Sequence, residues 1–177
     1  MVESVFIPTA GRGTLCISSQ AGCTLACKFC HTGTQALAGN LTAADITAQV
    51  LAARWLLGQG PEHAVASDAH RFGELQSKAA LSNIVFMGQG EPLFNSLAVH
   101  RAIDVLAHAD AGKISRRSIT VSTSGVAPKI PKLADAGVNL AVSLHSAIDA
   151  TRSKIMDINS RWPLAQLQAA VAEYLSM

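Results

Sequence analysis

Three cysteines in one short stretch, Cys23, Cys27 and Cys30, carry the strongest chemical signal in the sequence. Their C-x3-C-x2-C spacing places three thiols in a single loop, and cysteine thiolates are the usual ligands of iron–sulfur clusters. Three such ligands can hold three corners of a [4Fe-4S] cube and leave the fourth iron open. The spacing therefore predicts a cluster that can bind a further ligand at one iron.

An open iron suits S-adenosylmethionine (SAM), because the amino and carboxylate groups of its methionine can chelate a metal. One electron from the cluster would then cleave the C–S bond and release a 5′-deoxyadenosyl radical. Phe29, directly before the last of the three cysteines, is placed to shield the cluster or the adenine. Radical chemistry started from SAM is thus the first hypothesis for this loop.

Zinc is the alternative metal for the same loop. Zinc accepts four thiolates, or three thiolates and an imidazole, and Cys16 or His31 could complete such a set. Structural zinc sites usually show two spaced pairs of ligands, whereas this loop holds a triplet. The pattern favours the iron–sulfur cluster and leaves a non-catalytic zinc-binding module as a second hypothesis.

Three further motifs offer groups that could bind a nucleoside and an amino acid. In GQGEP (88–92), Gly90 allows a close approach of the backbone, and Glu91 could accept a hydrogen bond from the SAM ammonium. An ordinary turn with a solvated glutamate looks the same, so this motif is weak by itself. Hydroxyl, backbone and imidazole groups for ribose and carboxylate come from Ser122 in STSG (122–125) and from Ser143, Leu144 and His145.

The elements that must position these groups alternate between strand and helix. Strands are predicted at 14–20, 82–88, 118–125 and 139–145. Helices are predicted at 41–57, 97–106, 128–136 and 163–175. Near-continuous apolar strands alternating with helices indicate an α/β fold with a parallel sheet, whose chemistry lies at the carboxyl ends of the strands. Every candidate motif falls at such an end, so one face of the molecule should collect them.

Local signals mark the ends of the predicted helices. Thr42, with Asp45 three residues later, forms a capping-box pattern at the start of the first helix. Gly137 is a candidate C-cap for the helix that ends at residue 136. Residues 58–80 show little periodicity and are predicted to form a loop.

Composition narrows the class of protein. The chain has 177 residues, of which 49% are hydrophobic and 15% are charged, so it can bury a core and is not disordered. The N-terminal residues lack a signal-peptide pattern, and no apolar run approaches the roughly 20 residues of a membrane span. A cytoplasmic location is therefore expected. In that reducing compartment the four cysteines should bind metal or do redox chemistry rather than form disulfides.

A net charge of +2 decides nothing about a nucleic-acid partner, because a local basic patch would be enough to bind one. Lys113, Arg116 and Arg117 form such a group before the third predicted strand. They belong either to a solvated loop or to a contact with RNA phosphates, and the sequence leaves both open.

The ordered set of motifs resembles the RlmN-type radical SAM adenine methyltransferases of the RlmN/Cfr family. The resemblance is carried by RGTLCISSQAGCTLACKFCHTGTQ, MGQGEP, RRSITVSTSG, NLAVSLH and DIN, and it runs over almost the whole chain. It implies a partial (β/α) radical SAM barrel, with about four of six parallel strands and flanking helices. Residues 1–177 would then be one incomplete radical SAM core, without the family's N-terminal accessory domain and last barrel strands.

The resemblance also implies cofactors, partners and residue roles. The cofactors are a [4Fe-4S] cluster and SAM, and the partners are 23S rRNA, tRNA and a reducing donor such as flavodoxin, with no membrane. Cys16 matches a second catalytic cysteine, and Glu3 matches a glutamate that accepts a proton. The implied cluster ligands are Cys23, Cys27 and Cys30. The implied SAM contacts are Gly90, Glu91, Ser122, Ser143, Leu144 and His145.

In that family, a cysteine near the C-terminus is first methylated, and a radical from a second SAM takes hydrogen from the methyl group. The methylene radical adds to carbon 2 of an adenine. The adduct resolves by loss of the carbon 2 proton and by a disulfide with the cysteine that Cys16 matches. All four cysteines of this chain lie at or before Cys30, so we expect the chain alone to be incomplete for the full reaction.

Two features bear on the choice within the family. Cfr-type enzymes, which methylate carbon 8 of the same kind of adenine, share the cluster loop and the general mechanism and are the alternative. STSG and the run of motifs as a whole favour the RlmN type. The turn reads GQGEP where the family commonly has GMGEP.

Overall fold

The computed structural model describes residues 1–59 and 79–177. Apart from two residues at each end, the loop predicted at 58–80 lies outside the described residues. The strands are β1 (Val5–Thr9), β2 (Arg12–Cys16), β3 (Gln20–Ala21), β4 (Gly39–Asn40), β5 (Ala80–Phe86), β6 (Ile119–Thr123) and β7 (Asn139–Val142). The α-helices are α1 (Ala43–Leu56), α2 (Ser96–Ala107), α3 (Asp149–Ile155), α4 (Ile158–Arg161) and α5 (Leu164–Ser176).

Five of these strands form one sheet in the order β1-β2-β5-β6-β7, and β3 pairs with β4 separately. The strands β2, β5, β6 and β7 run parallel, which confirms the predicted α/β fold with four parallel strands and flanking helices. An antiparallel edge strand, β1, was not predicted. Its sequence contains Pro8, which argues against a central strand but is tolerated at a sheet edge.

The first parallel strand is shorter than the predicted segment 14–20, because it ends at Cys16. The chain beyond it stays bound to the next strand and its turn. Ile17 N–H donates to the carbonyl of Val85, at 2.9 Å, and Ser19 N–H donates to that of Gln89, at 3.0 Å. These bonds fix the start of the cysteine loop against the 88–92 turn.

The sheet has one buried face and one half-buried face. Side chains alternate between the faces of a strand, so the residues that enter the core recur at every second position. Leu15, Ile84 and Val121 are buried in one core with α1 and α2, whereas Cys16 and Ser122 lie on the other face and are half-buried. Cys16 and Ser122, the predicted site residues that lie on strands, are therefore on the face that the described helices do not cover.

The first helix begins as predicted. Thr42 Oγ1 accepts a hydrogen bond from Asp45 N–H, at 3.1 Å, and Asp45 Oδ2 accepts one from Thr42 N–H, at 2.9 Å. This reciprocal pair satisfies two backbone donors that no helical carbonyl can reach. The capping box is thereby confirmed.

The helix predicted at 128–136 is wrong in type. The segment forms two 3₁₀ helices, Ala127–Lys129 and Pro131–Ala136. Pro131 has no N–H to donate to a carbonyl four residues back, which interrupts an α-helical ladder, although Ile130 before it keeps the helical φ of −60° and ψ of −50°. Gly137 does end the segment in a left-handed conformation, with φ of 62°, and donates to the carbonyl of Ala134.

Three helices follow β7 and close one side of the described fold. The last of them, α5, begins at Leu164 and packs on the 3₁₀ helices through Leu167 and Ala170. Tyr174 Oη near its end donates to the carbonyl of Val138, just before β7. No helix in residues 1–59 and 79–177 has the length and apolar character needed to cross a membrane.

Candidate functional site

A cavity of about 240 Å³ opens at the carboxyl ends of β5, β6 and β7. It collects most of the residues that the sequence singled out, although they are spread over more than 120 positions of the chain. The predicted residues that line it are Cys23, Cys27, Cys30, Gly90, Glu91, Ser122, Ser143 and His145. Strand ends of a parallel sheet meet at one edge, which is why these distant motifs share one wall.

Three predicted site residues lie outside the lining of this cavity. Leu144 is exposed, and its carbonyl accepts a hydrogen bond from Arg152. Cys16 is at the end of β2, opposite Val5 of β1. Glu3 is exposed, and its carbonyl accepts a hydrogen bond from Ser18 Oγ, at 2.8 Å, so it lies close to the same end of β2.

The cysteine loop is held by its own turns and by one distant helix. Cys23 Sγ accepts a hydrogen bond from Leu25 N–H, at 3.4 Å, and Cys30 N–H donates to the carbonyl of Cys27, at 3.0 Å. Lys28 N–H donates to the carbonyl of Ile155, at 3.0 Å, at the end of α3. The loop is therefore anchored to an element more than 120 residues away.

Burial controls the protonation of the cysteine thiols. Removal from water raises the pKa of Cys23, and it raises that of Cys27 to about 11, with the neighbouring Cys23 and Cys30 adding to the effect. Without a metal, these two groups are neutral thiols near pH 7. Because thiolates are the metal ligands, metal binding at this loop must displace protons.

The three thiols of the cysteine loop line one cavity. All four cysteines are free. In the described part of the chain, no three His, Cys, Asp or Glu side chains converge closely enough to hold one metal ion. The three loop cysteines nevertheless line the same cavity, as the ligands of a cube with separate irons must.

Glu91 has a structural task that the sequence did not reveal. Its side chain is 1% exposed, and its two oxygens accept hydrogen bonds from Leu93 N–H, at 3.1 Å, and Ser124 N–H, at 2.7 Å. Its own N–H donates to Gln20 Oε1, at 2.8 Å. Burial raises the pKa of Glu91, and the two amide donors oppose that rise. The carboxyl group thus joins the turn after β5 to the turn after β6.

The two glycines of the same turn are required by close contacts. Gly90 has φ of 97°, and a Cβ on it would lie 2.5 Å from Gln20 Cβ. A Cβ on Gly88 would lie 2.8 Å from the backbone carbon of Ile17. The turn can therefore pack against the start of the cysteine loop only because these positions lack side chains.

We expect Gly90→Ala to lower the free energy of unfolding by about 2–5 kcal/mol, the sum of a left-handed backbone and an overpacked contact. Chemical denaturation would measure the change. Gly39→Ala is the matched control, because a Cβ at Gly39 meets no atom within 4 Å. Equal stability of the two variants would contradict the close approach of Gly90 to Gln20.

The basic group before β6 is partly used inside the fold. Arg116 forms an ion pair with Asp104, at 2.7 Å, and donates to the carbonyl of Ala136, also at 2.7 Å. Arg117 and Lys113 are exposed. All three side chains keep exposed surface, and Arg117 and Lys113 are the more accessible ones for an RNA phosphate.

A family model described as the radical SAM superfamily matches residues 17–173. The chain belongs to the radical SAM superfamily. This membership confirms the fold and the enzyme family predicted from the cysteine triplet and its accompanying motifs, and it implies a [4Fe-4S] cluster and SAM as cofactors.

Individual relatives narrow the resemblance within the radical SAM superfamily. The chain is 52% identical, over 173 residues, to the dual-specificity RNA methyltransferase RlmN of Rhodospirillum rubrum, and the match covers 97% of this chain and 38% of that protein. It is 50% identical, over 175 residues, to the protein of the same name from Phenylobacterium zucineum, with 98% and 42% covered. The chain thus spans about two fifths of the length of these curated relatives. The predicted resemblance to RlmN-type enzymes is confirmed.

A solved structure supports the same assignment. A radical SAM methyltransferase from Sphaerobacter thermophilus is 39% identical and superposes with a TM-score of 0.83. The superposition covers 99% of this chain and 47% of that one. The radical SAM fold of the described residues therefore corresponds to part of a longer enzyme.

Sequence reasoning missed Gln20, Arg152 and Asn159, all of them buried polar residues behind the cavity wall. Asn159 belongs to the DIN segment that helped to carry the resemblance, but no role was predicted for it. Polar residues of this kind show no periodicity or spacing of their own. Only the positions of their backbone partners reveal what they do.

Proposed function

We propose that this chain is the cluster- and SAM-binding part of an RlmN-type RNA methyltransferase, which methylates carbon 2 of adenine in 23S rRNA and tRNA. The observation that carries the proposal is one cavity lined by the cysteine triplet together with the glycine, glutamate and serine motifs. The 52% identity to an RlmN enzyme supports the type of reaction. Flavodoxin or a similar reductant, and a cytoplasmic location, belong to the same proposal.

Cys23, Cys27 and Cys30 are the proposed cluster ligands, since all three line the same cavity. A bound [4Fe-4S] cluster supplies the electron that cleaves SAM to the 5′-deoxyadenosyl radical. The protein binds and orients SAM through the opposite wall of the same cavity. There, Gly90 gives the backbone access, and the hydroxyl groups of Ser122 and Ser143 are available to the ribose and carboxylate.

An aromatic contact crosses the cavity between its two walls. The rings of Phe29 and His145 have centroids 4.2 Å apart and an interplanar angle of 40°. Phe29 belongs to the cysteine loop, and His145 follows β7 with φ of 55°. We assign this pair to covering the SAM site and keeping water from it, which a radical reaction requires.

Cys16 and Glu3 are the proposed catalytic residues, outside the cavity lining. Burial raises the pKa of Cys16, so its sulfur is held as a neutral thiol. Glu3 lies near the same end of β2 and exposes its carboxylate to solvent. A thiol and a proton acceptor at that end fit the resolution of a protein–RNA adduct. Leu144 is assigned to SAM binding through its backbone.

A chimera would test the proposed activity. The segment of Rhodospirillum rubrum RlmN that matches this chain would be replaced by this chain, and total RNA from a strain lacking its own RlmN would be analysed. We expect 2-methyladenosine in 23S rRNA and tRNA, since the relative supplies the remaining part of the enzyme. The same chimera with Cys27→Ala is the control and should give none.

The product identifies the family member. Methylation at carbon 8 instead of carbon 2 would assign the chain to the Cfr type. A chimera that is folded and loaded with iron but yields no methyladenosine would refute the proposal. No observation on the described residues favours the zinc-binding module as a second function.

A further inference from the structure

Arg152 is the largest charged side chain buried in the described fold, with 0% of its surface exposed. It lies on α3, directly behind the cavity. Buried charges are costly unless they are paired or fully hydrogen-bonded. Among residues 1–59 and 79–177 the ion pair found is Arg116 with Asp104, so no carboxylate lies within ion-pair distance of Arg152. This charge is therefore compensated by hydrogen bonds and by the charge of Asp149, which acts on Arg152 from beyond ion-pair distance.

The guanidinium uses all three of its nitrogens. Its Nε donates to the carbonyl of Leu144, at 3.0 Å, and its Nη2 donates to those of Ser124, at 2.6 Å, and Ser143, at 3.1 Å. Its Nη1 donates to Asn159 Oδ1, at 2.7 Å. Three of the four acceptors are thus main-chain carbonyls at the ends of β6 and β7. A planar group with donors in fixed directions can hold such a set, whereas an ammonium cannot do so with the same geometry.

These three carbonyls belong to residues that shape the SAM site. Ser124 and Ser143 line the cavity. Ser124 N–H also donates to Glu91 Oε2. The peptide groups on both sides of Ser124 are therefore held, one by the carboxyl group of Glu91 and the other by the guanidinium of Arg152. The bond to Leu144 orients the peptide group that leads into His145, whose ring packs on Phe29.

Asn159 holds the guanidinium from the other side. Its Nδ2 donates to Asp149 Oδ1, at 2.9 Å, and to Ser153 Oγ, at 2.8 Å. Asp149 Oδ1 also accepts a hydrogen bond from Leu164 N–H, at 2.9 Å, at the start of α5. The orientation of Arg152 is thus fixed by α3, α4 and α5 together, which makes it a rigid support for the strand ends.

The same helix contacts the cysteine loop. The carbonyl of Ile155, three residues after Arg152, accepts a hydrogen bond from Lys28 N–H. Met156 follows it, is fully buried and lines the cavity. The segment that carries Arg152 therefore touches both the cluster-binding loop and the opposite wall.

We infer that Arg152 is a positioning residue of the SAM site: it sets the main-chain orientation at Ser124 and at Ser143–Leu144, and thereby the shape of the wall that binds SAM. The inference rests on the proposed SAM-binding function. It assigns the effect to geometry at the strand ends rather than to contact between Arg152 and the ligand, because Arg152 is not part of the cavity lining.

Arg152→Lys keeps the positive charge but removes the planar guanidinium, with its donors in fixed directions. In the anaerobically reconstituted chain, we expect the SAM dissociation constant from equilibrium dialysis to rise about 10- to 100-fold, the same range as the loss when a metal site loses a residue that orients its ligands. Iron content should stay unchanged, since the three cysteines are untouched. Arg101→Lys, at an exposed arginine on α2, is the matched control and should bind SAM like the unsubstituted chain.

A second measurement needs no cofactor. Hydrogen exchange of the metal-free chain should become faster in Arg152→Lys at residues 122–126 and 143–146, and should stay the same in α1. A purely structural role would instead lower the melting temperature and speed exchange throughout the fold, with the SAM affinity of the folded protein unchanged. Unchanged affinity in a folded, iron-loaded Arg152→Lys chain would overturn the inference.

If Arg152→Lys does not fold, Asn159→Ser tests the same inference. It removes the amide oxygen that accepts from Arg152 Nη1 and leaves the arginine in place. Weaker SAM binding with unchanged iron content is expected, and unchanged binding would overturn the inference. A failure of the proposed function would look different. In that case the unsubstituted, iron-loaded chain itself would not bind SAM.

Discussion

Cys27→Ala is expected to abolish iron loading, whereas Cys16→Ala should leave it nearly intact. Anaerobic reconstitution of the unsubstituted chain should give about four irons per chain, as a [4Fe-4S] cube requires, and two remaining thiolates cannot hold the cube. Cys27 is the most buried of the three loop cysteines and lines the cavity, whereas Cys16 is on β2 outside it. Iron and sulfide analysis with a visible spectrum would measure the difference.

Cys16→Ala is the matched control for this experiment, because it removes a thiol of similar chemistry from a neighbouring element. Equal loss of iron in both variants would show that the four cysteines are divided wrongly between cluster and catalysis. A colourless unsubstituted chain with one bound zinc would contradict the cluster altogether. Cys23→Ala and Cys30→Ala should behave like Cys27→Ala.

Glu91→Ala should cause the second large effect, on stability as well as on SAM binding. The substitution removes the acceptor of two backbone amides, from Leu93 and Ser124. At about 1.5–3 kcal/mol for each hydrogen bond to a charged group, the free energy of unfolding should fall by roughly 3–6 kcal/mol. Chemical denaturation would measure it, and SAM binding should be lost because the turns after β5 and β6 are no longer joined.

Two variants make this result specific. Glu173→Ala, at an exposed glutamate on α5, should have no comparable effect. Glu91→Gln keeps one carbonyl oxygen but turns an NH₂ group toward one of the two amide donors, so its stability should fall between those of Glu91→Ala and the unsubstituted chain. If Glu91→Ala weakened SAM binding without any loss of stability, the carboxylate would be a ligand contact alone.

The parallel sheet and the edge that bears the cavity could be predicted because they follow from local patterns. Apolar runs such as NIVF and ITV identify strands, and the motifs that follow them identify the functional edge. The strand β1 could not be predicted in the same way, since Pro8 argues against a strand unless the strand is known to lie at an edge. Pro131 was visible in the sequence, but the prediction of one helix at 128–136 did not take it into account.

In the candidate site, too, some residues could be predicted from local sequence patterns and others could not. Residue types and spacing were sufficient to predict that the cysteine triplet, Gly90, Ser122 and Ser143 lie together, and all of them line one cavity. The hydrogen bonds of the Glu91 and Arg152 side chains could not be predicted, because most of their partners are main-chain groups without a sequence signature, as far as 33 residues away for Glu91 and 28 for Arg152. The position of Cys16 outside the cavity likewise could not be predicted, because it depends on how β2 pairs with its neighbouring strands.

The strand order has a consequence for how this protein acquires its shape. Within the described sheet, β1 and β2 are joined by a tight turn, but β2, β5, β6 and β7 pair across long separations in the chain. Contacts of this kind slow folding, because the entropy of closing each loop must be overcome before the pairing stabilises the chain. The cavity is complete only after α3 has docked on the cysteine loop through Lys28 and Ile155. Iron added to the refolded chain therefore binds at a formed cavity, whereas iron added during refolding binds to cysteines whose loop has not yet docked on α3.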